Sequence, residues 1–342
     1  MKILVTGGAG YIGSHTIIEV LEKTDWEVIS ADNFMRSSEK TFDRIKKITG
    51  KEVKNYNVDL CDPEKTRKIF SENKNIEGVI HFAALKSVPE SVANPDLYYH
   101  NNNESLKNIL ACIKEFGTNN FIFSSSCAVY GNIDMLPVNE KTPLQKAQSP
   151  YGHTKQLGEE IISEFSKLNP EVSSIALRYF NPVGAHISGK IGETSIGKPD
   201  NVVPSIMQTA VGKLDQFNVF GDDYTTRDGT CIRDYVHVSD IANAHVLALK
   251  YLMNREAKKN YDVINLGTGN GVTVLEAVNA FEKVCSKKLN YKISPRRAGD
   301  VEAIYSDSSK AKKLLGWKTK FGIEDMMKSA WNWQLNLSAE NQ

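Results

Sequence analysis

Tyr151 and Lys155 stand four residues apart in the segment SPYGHTKQLGEE. On a helix this spacing places a phenol and an ammonium on one face, one turn from each other. Both groups have reference pKa values near ~10, so neither is a base at neutral pH unless its surroundings change its pKa. A neighbouring ammonium favours the phenolate and lowers the pKa of a tyrosine. The pair therefore predicts a general base, although an ordinary helix start, with Ser149 as cap and Pro150 as first residue, also fits.

Three consecutive serines, Ser124 to Ser126, end the strand-like run NNFIFSSS, and Ser126 precedes Tyr151 by 25 residues. At a strand end they could direct hydroxyl groups into a ligand crevice. They could equally be ordinary polar residues of a strand-to-loop junction. A dinucleotide site beside them would favour the first interpretation, in which a serine hydroxyl binds substrate.

The segment TGGAGYIG predicts that dinucleotide site, with a plain glycine-rich turn as the alternative. Gly7, Gly10 and Gly13 follow the apolar run KILVTG and open a helical pattern. Glycine permits a tight turn and close approach of the backbone to a pyrophosphate, which the helix N-terminus then attracts. Asp32 ends the next strand, nineteen residues after Gly13, where an acid accepts the ribose 2′-hydroxyl and repels a 2′-phosphate. The pattern favours NAD over NADP, and nearby Arg36 softens that preference.

Other candidate groups lie farther along the chain. Asp59, in VDL at the end of the third strand, could reach adenine or could simply flank a helix. Arg233 and Arg297 could fork onto phosphate oxygens, and Asp300 could accept a ribose hydroxyl. Each of these three could equally be a solvated surface or loop residue.

Two patterns are predicted to be structural. The segment GTGNG at 267–271 is predicted to be a turn between a strand and a helix, because no acid follows it at the spacing of a second nucleotide loop. His237 and His245 are predicted to pack or cap helices rather than bind a metal, and we predict no metal site.

The order of apolar runs positions these groups. Strand-like and helical segments alternate through the first half, which predicts an α/β fold with a Rossmann-type, doubly wound parallel sheet. After about residue 184 the rhythm changes to Gly-rich and polar segments. We predict an NAD-binding domain over 1–184 and a smaller α/β substrate domain over 185–342. Some elements of 230–270 could return to the first domain.

Composition limits the classes of partner. The 342 residues are 41% hydrophobic and 24% charged, with a net charge of +1. This net charge gives no strong positive potential that would attract nucleic acid or a membrane surface. Five cysteines without CxxC spacing predict neither a disulfide framework nor a zinc site, and favour a reduced, cytoplasmic location. The sequence shows no apolar run of membrane-spanning length and no signal-peptide pattern.

The glycine loop, the serine and YxxxK together resemble the extended short-chain dehydrogenase/reductase superfamily. More closely, the chain resembles the UDP-glucose/UDP-galactose 4-epimerase family. The resemblance runs through TGGAGYIGSH, HFAALKSVPESV, FIFSSSCAVYG, SPYGHTK, RYFNPVGAH, GTCIRDYVHVSDIA, YDVINLGTG and RRAGDVEA, and so covers nearly the whole chain. It implies an NAD-dependent inversion at C4 of a UDP-hexose through a transient 4-keto sugar.

The resemblance also implies roles for individual residues. Tyr151 would be the catalytic base, Lys155 its partner, and Ser126 the hydroxyl that hydrogen-bonds the sugar. Positions that contact NAD would be Gly7, Gly10, Tyr11, Ile12, Gly13, Asp32, Asn33, Ser37, Asp59, Leu60, Phe82, Ala83, Lys86, Asn101, Ser126, Tyr151, Lys155 and Phe180. Positions that bind the UDP-sugar would be Lys86, Ser126, Tyr151, Asn181, Asn201, Val202, Phe220, Arg233, Arg297 and Asp300.

Three rival functions remain at this stage. Nucleotide-sugar 4,6-dehydratases of similar fold need an acid pair after the serine, where this chain has Cys127 and Ala128. A simple NAD-dependent dehydrogenase would exchange its cofactor in each turnover. A silent NAD-binding protein would have no use for the Tyr151–Lys155 pair.

The resemblance leaves the substrate range and the assembly open. Ile304 is intermediate in size at a position where bulk is associated with excluding N-acetylated sugars, and we expect the non-acetylated pair to be the main substrate. The family is usually homodimeric through helices matching 97–116 and the helix that begins near Tyr151. The apolar stripes of those helices could instead face the sheet.

Overall fold

A computed structural model of the protein describes residues 1–194, 197, 199–297 and 300–340. Ala298 and Gly299 of the RRAGDVEA motif lie outside the described residues. The strands are β1 (Lys2–Thr6), β2 (Glu27–Ala31), β3 (Lys54–Tyr56), β4 (Ile76–His81), β5 (Asn120–Ser126), β6 (Ser173–Tyr179), β7 (Asn181–Val183), β8 (Phe217–Phe220), β9 (Ile232–His237), β10 (Tyr261–Leu266), β11 (Gly271–Thr273), β12 (Tyr291–Ser294) and β13 (Ala303–Ile304).

The helices cover both faces of the main sheet and extend into the second part. They are α1 (Tyr11–Lys23), α2 (Lys40–Thr49), α3 (Pro63–Glu72), α4 (Val88–Ala93), α5 (Pro95–Phe116), α6 (Pro150–Leu168), α7 (Val202–Ala210), α8 (Val238–Met253), α9 (Val274–Cys285), α10 (Ser309–Leu315) and α11 (Ile323–Glu340). A 3-10 turn covers Cys127–Tyr130. Within the described part of the chain, no helix is long and apolar enough to cross a membrane.

Seven parallel strands form the main sheet in the order β10-β6-β5-β4-β1-β2-β3. Side chains of β1 alternate between its faces: Ile3 and Val5 belong to one core cluster and Leu4 to the other. Since period-two burial on both faces is typical of a covered parallel strand, the predicted doubly wound α/β fold is confirmed. The chain order reverses between β1 and β4, which places the ligand crevice at the carboxyl ends of these strands.

A second, smaller group of strands packs beside the sheet. The order β11-β9-β13 is extended by β7 pairing with β9, while β8 and β12 form a separate parallel pair. Helices α7, α9 and α11 enclose its core around Ile206, Phe281 and Met327. The residues of 238–266 lie elsewhere: α8 packs against α1, and β10 joins the edge of the main sheet beside β6. The exact domain limits stay a prediction.

The run SSIALRYFNPVG forms two strands in the structure. β6 ends at Tyr179 and β7 begins at Asn181. Phe180 lies between them, buried, and its N–H donates to the carbonyl oxygen of Leu266 at 3.3 Å. The chain leaves the seven-stranded sheet at Phe180 and enters the smaller one. This break carries Phe180 and Asn181 into the crevice between the two parts.

Candidate active site

A cavity of about 1460 Å³ lies between the carboxyl ends of the main sheet and the smaller part. Its lining unites most of the residues that the sequence identified: Gly7, Gly10, Tyr11, Ile12, Gly13, Asp32, Asn33, Ser37, Asp59, Leu60, Phe82, Ala83, Lys86, Asn101, Ser126, Tyr151, Lys155, Phe180, Asn181, Asn201, Arg233, Arg297 and Asp300. Positions separated by almost 300 residues therefore meet in one site.

Two predicted substrate positions lie outside that lining. Val202, the first residue of α7, packs against the core of the smaller part. The ring of Phe220 lies under Arg297, with 5.6 Å between the guanidinium carbon and the ring centre. Their contact with a UDP-sugar stays a prediction.

The glycine loop is shaped by close backbone contacts. Gly7 has φ of 67°, and a Cβ there would lie 2.8 Å from the backbone nitrogen of Ala83. A Cβ on Gly13 would lie 2.2 Å from the carbonyl oxygen of Gly7. Gly10 precedes α1 without a side-chain cap, and the first turn of this described helix contains no acid. Its free N–H groups and dipole suit a pyrophosphate, so the loop fits a dinucleotide.

Asp32 is oriented by the loop around it. Its carboxylate accepts hydrogen bonds from the N–H of Ala9 at 3.0 Å and from the hydroxyl of Ser37 at 2.8 Å. The remaining lone pairs can accept ribose hydroxyls. Arg36 is ion-paired with Glu90, so a carboxylate partly neutralises the cation that softened the cofactor preference. The arrangement fits NAD.

The next strand ends supply further contacts. Asp59 accepts a hydrogen bond from the N–H of Cys61 at 2.9 Å, which is the turn role that the sequence left open. The carbonyl oxygen of Leu60 accepts from the Asn108 side chain at 2.9 Å, and Asn101 donates to Asn102 at 3.0 Å. Since Asp59 also lines the cavity, its contact with adenine stays a prediction.

Lys86 reaches across the cavity to a residue that the sequence did not identify. Its Nζ pairs with Glu193 Oε1 at 2.8 Å and lies 5.9 Å from the centre of the Tyr11 ring. The Tyr11 hydroxyl donates to the carbonyl oxygen of Gly184 at 2.6 Å. Glu193 and Asp200 line the cavity from the loop after β7. No local pattern marks them, because their position depends on residues far away in the chain.

The start of α6 presents the predicted catalytic pair. Ser149 caps the helix by accepting a hydrogen bond from the N–H of Gly152 at 3.1 Å, as predicted. One turn later Lys155 is buried, and its Nζ donates to the carbonyl oxygen of Ser124 at 2.7 Å. The same Nζ lies 5.9 Å from the centre of the Tyr151 ring. The pair shares one face of the helix, as the spacing predicted.

Burial dominates the protonation of this pair. It raises the pKa of Tyr151 to about 12, against a hydrogen bond from Ser126 that lowers it. It lowers the pKa of Lys155 to about 8, against the charge of Glu159 that raises it. Desolvation disfavours the charged form of each group, so in the protein by itself the pKa of Tyr151 is raised. The lowered tyrosine pKa predicted from the sequence also depends on the positive nicotinamide ring and stays a prediction for the enzyme with NAD bound.

The three serines have different partners. The hydroxyl of Ser124 bonds to that of Tyr179, and Ser125 donates to Glu159 Oε1 at 2.5 Å. Ser126 lines the cavity and accepts a hydrogen bond from the N–H of Ala128 at 3.2 Å, capping the 3-10 turn. Ser126 also hydrogen-bonds Tyr151, and its contact with substrate stays a prediction.

Asp300 is paired with both predicted arginines. It accepts from Arg297 Nη2 at 2.8 Å and Nε at 3.1 Å, and Arg233 Nη2 lies 3.6 Å away. The register of β9 with its neighbours places Arg233 opposite Ile304, and Tyr235 opposite Asn181. Two guanidinium groups thus converge on one side of the cavity. Asp300, predicted to bind a ribose hydroxyl, is engaged with these cations in the structure.

The positions after Ser126 bear on dehydration. Cys127 and Ala128 both line the cavity, and burial raises the pKa of the Cys127 thiol to about 12. A neutral thiol and a methyl group cannot act as an acid pair. Ile304 is buried at the cavity wall.

The segments predicted to be structural behave accordingly. In GTGNG, Thr268 and Gly269 donate their backbone N–H groups to Asp234, at 2.8 and 3.2 Å, in a turn that joins β10 to β11 ahead of α9. His237 caps α8 by accepting a hydrogen bond from Ser239 at 3.1 Å, and His245 is fully buried. The predicted turn and the capping and packing roles are confirmed.

Comparison with known proteins places these features in context. Residues 4–330 match the family of GDP-mannose 4,6 dehydratases. The chain is 48% identical to a UDP-glucose 4-epimerase of Bacillus subtilis (strain 168) over 334 residues, which cover 98% of this chain and 97% of that one. It is 46% identical to that of Drosophila melanogaster over 338 residues, covering 97% and 96%. The UDP-glucose 4-epimerase of Bifidobacterium longum in complex with NAD+ and UDP superposes with a TM-score of 0.93 at 46% identity, covering 98% of both chains.

Proposed function

The chain belongs to the UDP-glucose 4-epimerase family, and from that premise we propose how its own residues carry out the reaction. The enzyme interconverts UDP-galactose and UDP-glucose by inversion at C4, with NAD as cofactor. The observation that carries the assignment of roles is the shared cavity. The glycine loop, the Tyr151–Lys155 pair and the arginine pair all line it.

Inversion at C4 requires removal of a hydride from carbon and a proton from the C4 hydroxyl. Bound NAD supplies the hydride acceptor and, in its oxidised form, a positively charged ring. Residues that would hold it are those of the glycine loop at the N-terminus of α1, with Asp32 for the adenosine ribose. Phe180, buried at the break between β6 and β7, would lie against the nicotinamide.

Tyr151 would accept the C4 hydroxyl proton, and Ser126 would hydrogen-bond the same sugar. With a pKa raised to about 12, the phenol needs positive charge beside it before it can act as a base near neutral pH. Lys155 lies on the same face of α6 as Tyr151, and its ammonium donates a hydrogen bond to the carbonyl oxygen of Ser124. While it is protonated, Lys155 would supply part of that charge. Tyr151 would return this proton to the C4 oxygen when the hydroxyl group forms again.

The arginine pair would anchor the substrate while the sugar turns. Arg233 and Arg297 offer fork-shaped donors for the pyrophosphate oxygens, and Asp300 limits their motion by pairing with both. The 4-keto sugar must expose its opposite face before the hydride returns. A UDP group held at one end of the cavity permits that rotation without release of the intermediate.

The decisive experiment is incubation of the purified protein with UDP-galactose and no added NAD. We expect UDP-glucose to form without net change in the nicotinamide, because the hydride is returned in each cycle. Accumulation of reduced cofactor would indicate a dehydrogenase. Loss of the 6-hydroxyl would indicate a dehydratase, which Cys127 and Ala128 argue against. Absence of any conversion by folded, NAD-containing protein would refute the proposal.

We also propose that the non-acetylated sugars are the main substrates. Ile304 lines the cavity beside Arg233, so an N-acetyl group at C2 would compete with its side chain for space. Turnover of UDP-GalNAc at a rate comparable to that of UDP-galactose would overturn this preference.

Assembly and location are proposals of the same kind. The main apolar stripe of α5, with Leu106, Ile109 and Ile113, is buried in the core cluster that includes the sheet, which is the alternative that the sequence left open. A homodimer would use the outer face of α5 and α6, where Tyr99 and His153 are hydrogen-bonded at 2.9 Å. All five cysteines are free, which supports a reducing compartment such as the cytoplasm.

A further inference from the structure

Glu159 lies one helical turn after Lys155 on α6 and is 5% exposed. Its Oε1 accepts from Arg178 Nε at 2.8 Å and from the Ser125 hydroxyl at 2.5 Å, while Oε2 accepts from Arg178 Nη2 at 2.5 Å. This is a two-pronged ion pair between α6 and β6, closed by a third donor from β5. None of the roles assigned above to the sugar, the cofactor or UDP uses Glu159.

The arginine of the pair is equally enclosed. Arg178 is 4% exposed, donates to the Tyr130 hydroxyl at 3.2 Å, and places its guanidinium carbon 5.0 Å from the centre of that ring. The Tyr130 hydroxyl in turn donates to Asn265 Oδ1 at 2.7 Å. A buried ion pair contributes little net stability, because desolvation of two ions offsets their attraction. Stability alone therefore gives no reason to build one beside the catalytic helix.

The end of β5 connects this pair to the chemistry. Successive strand residues point to opposite faces, so Ser125 faces Glu159 while its neighbours face other partners. The carbonyl oxygen of Ser124 accepts a hydrogen bond from the Lys155 ammonium, and Ser126 lines the cavity beside Tyr151. Glu159 thus hydrogen-bonds Ser125. Ser125 lies between Ser124, whose carbonyl oxygen accepts from Lys155, and Ser126, whose hydroxyl is proposed to bind the sugar.

We propose that Glu159, held by Arg178, is a positioning residue that keeps the Lys155 ammonium charged and fixes the Ser124–Ser126 strand end beneath Tyr151. The inference rests on the proposed role of the Tyr151–Lys155 pair. Glu159 itself touches neither substrate nor cofactor. It acts through the charge it places one turn from the lysine and through its hydrogen bond to Ser125.

Lys155 has few charged neighbours that could replace this effect. Titratable groups on elements around Lys155 and α6 include His81 on β4, Arg178 and Tyr179 on β6, Cys127 and Tyr130 on the 3-10 turn, and Tyr261 on β10. The carboxylic acids on α6 and on the helices and strands packed against it are Glu159, Glu160 and Glu164 on α6, Glu90 on α4, Asp96, Glu104 and Glu115 on α5, and Asp262 on β10. Of these described acids, Glu159 alone is buried. Burial lowers the pKa of His81 to about 3, so it is neutral at neutral pH.

The test is the pH profile of the NAD-containing enzyme with Glu159→Gln. Glutamine keeps an oxygen for Ser125 and Arg178 but removes the negative charge, so Lys155 should lose its proton at lower pH. The alkaline limb of kcat is expected to move down by about one pH unit, with little change in KM for UDP-galactose. Glu164→Gln is the matched control, because Glu164 is an exposed acid on the same helix, paired with Lys167. Its limb should coincide with that of the wild type.

A second variant covers the case in which an unpaired Arg178 prevents folding. Glu159→Gln combined with Arg178→Gln removes both charges, and its alkaline limb should move in the same direction by a smaller amount, because a cation is lost as well. The Lys155 pKa should also be followed directly, by ¹³C NMR of labelled lysine assigned with Lys155→Arg. That measurement reports on Glu159 even if the protein shows no epimerase activity. A Lys155 pKa unchanged in both folded variants would overturn the proposal.

Discussion

The ammonium of Lys155 lies 5.9 Å from the centre of the Tyr151 ring, while its hydrogen bond goes to the carbonyl oxygen of Ser124 at 2.7 Å. We therefore expect the lysine to act on the phenol through its charge, since its hydrogen bond goes to a backbone carbonyl oxygen. Burial opposes both charged forms, raising the tyrosine pKa to about 12 and lowering the lysine pKa to about 8. Because burial opposes the phenolate, we expect it to form only when positive charge lies beside it.

Replacing Tyr151 by phenylalanine should remove the base while leaving the cavity otherwise intact. We expect kcat to fall by about 10²- to 10⁴-fold, the usual contribution of a positioned acid or base. Affinity for UDP should be unchanged, because the substitution leaves Arg233, Arg297 and their pairing with Asp300 in place. Steady-state kinetics and a UDP titration measure the two effects. Near-normal turnover would sink the assignment of Tyr151.

The pH dependence of kcat should have an alkaline limb set by Lys155. Burial lowers the pKa of this group from 10.5 to about 8, so the ammonium is present below that pH and is lost as the pH rises through it. Activity is expected to decline over that range because the phenolate loses its neighbouring charge. The measurement is kcat from about pH 6 to 10. In Lys155→Met the residual activity should lack this limb; the same limb in that variant would assign it to another group.

Substitution of Gly13 by alanine should displace the glycine loop. The new Cβ would lie 2.2 Å from the carbonyl oxygen of Gly7, so the backbone must move away from its pyrophosphate-binding position. We expect loss of bound NAD and destabilisation of about 1–3 kcal/mol. NAD released on denaturation and the midpoint of urea unfolding are the readouts. Gly322→Ala is the control, since among the described residues its Cβ would meet Asp325 Oδ2 alone, at the ordinary contact distance of 3.9 Å. Full NAD content in Gly13→Ala would contradict the prediction.

Two adjacent arginines allow a matched test of the UDP end. Arg297 lines the cavity, whereas Arg296 is half-exposed and bonds Asp223 at 2.6 Å outside the lining. Arg297→Met should weaken UDP binding by roughly 10- to 100-fold, equivalent to about 1.5–3 kcal/mol for a hydrogen bond to a charged group. Arg296→Met should leave the dissociation constant near the wild-type value. Calorimetric titration with UDP distinguishes them, and equal effects would remove the special role of Arg297.

Much of the fold and of the dinucleotide site could be predicted because the signals are local. Three glycines, Gly7, Gly10 and Gly13, can be recognised within a segment of eight residues. Asp32 can be recognised by its position at the end of the second strand of the same βαβ unit. The hydrophobic periodicity of each strand and helix is likewise a local signal. The alternation of these elements along the chain is enough to predict a doubly wound sheet. Tyr151 and Lys155 share a helix face by spacing alone.

The remaining features depend on contacts between distant parts of the chain. Lys86 pairs with Glu193 across 107 positions, and nothing near either residue marks the pairing. The run SSIALRYFNPVG is divided at Phe180 because its first part pairs within the main sheet and its second part pairs with β9 of the smaller one. The pKa of Tyr151 follows from desolvation, which elements far away in sequence produce together. The sequence by itself determined which groups are present and on which elements they lie, whereas the tertiary structure decided their charge states and partners, because burial and ion pairing are long-range properties of the folded chain.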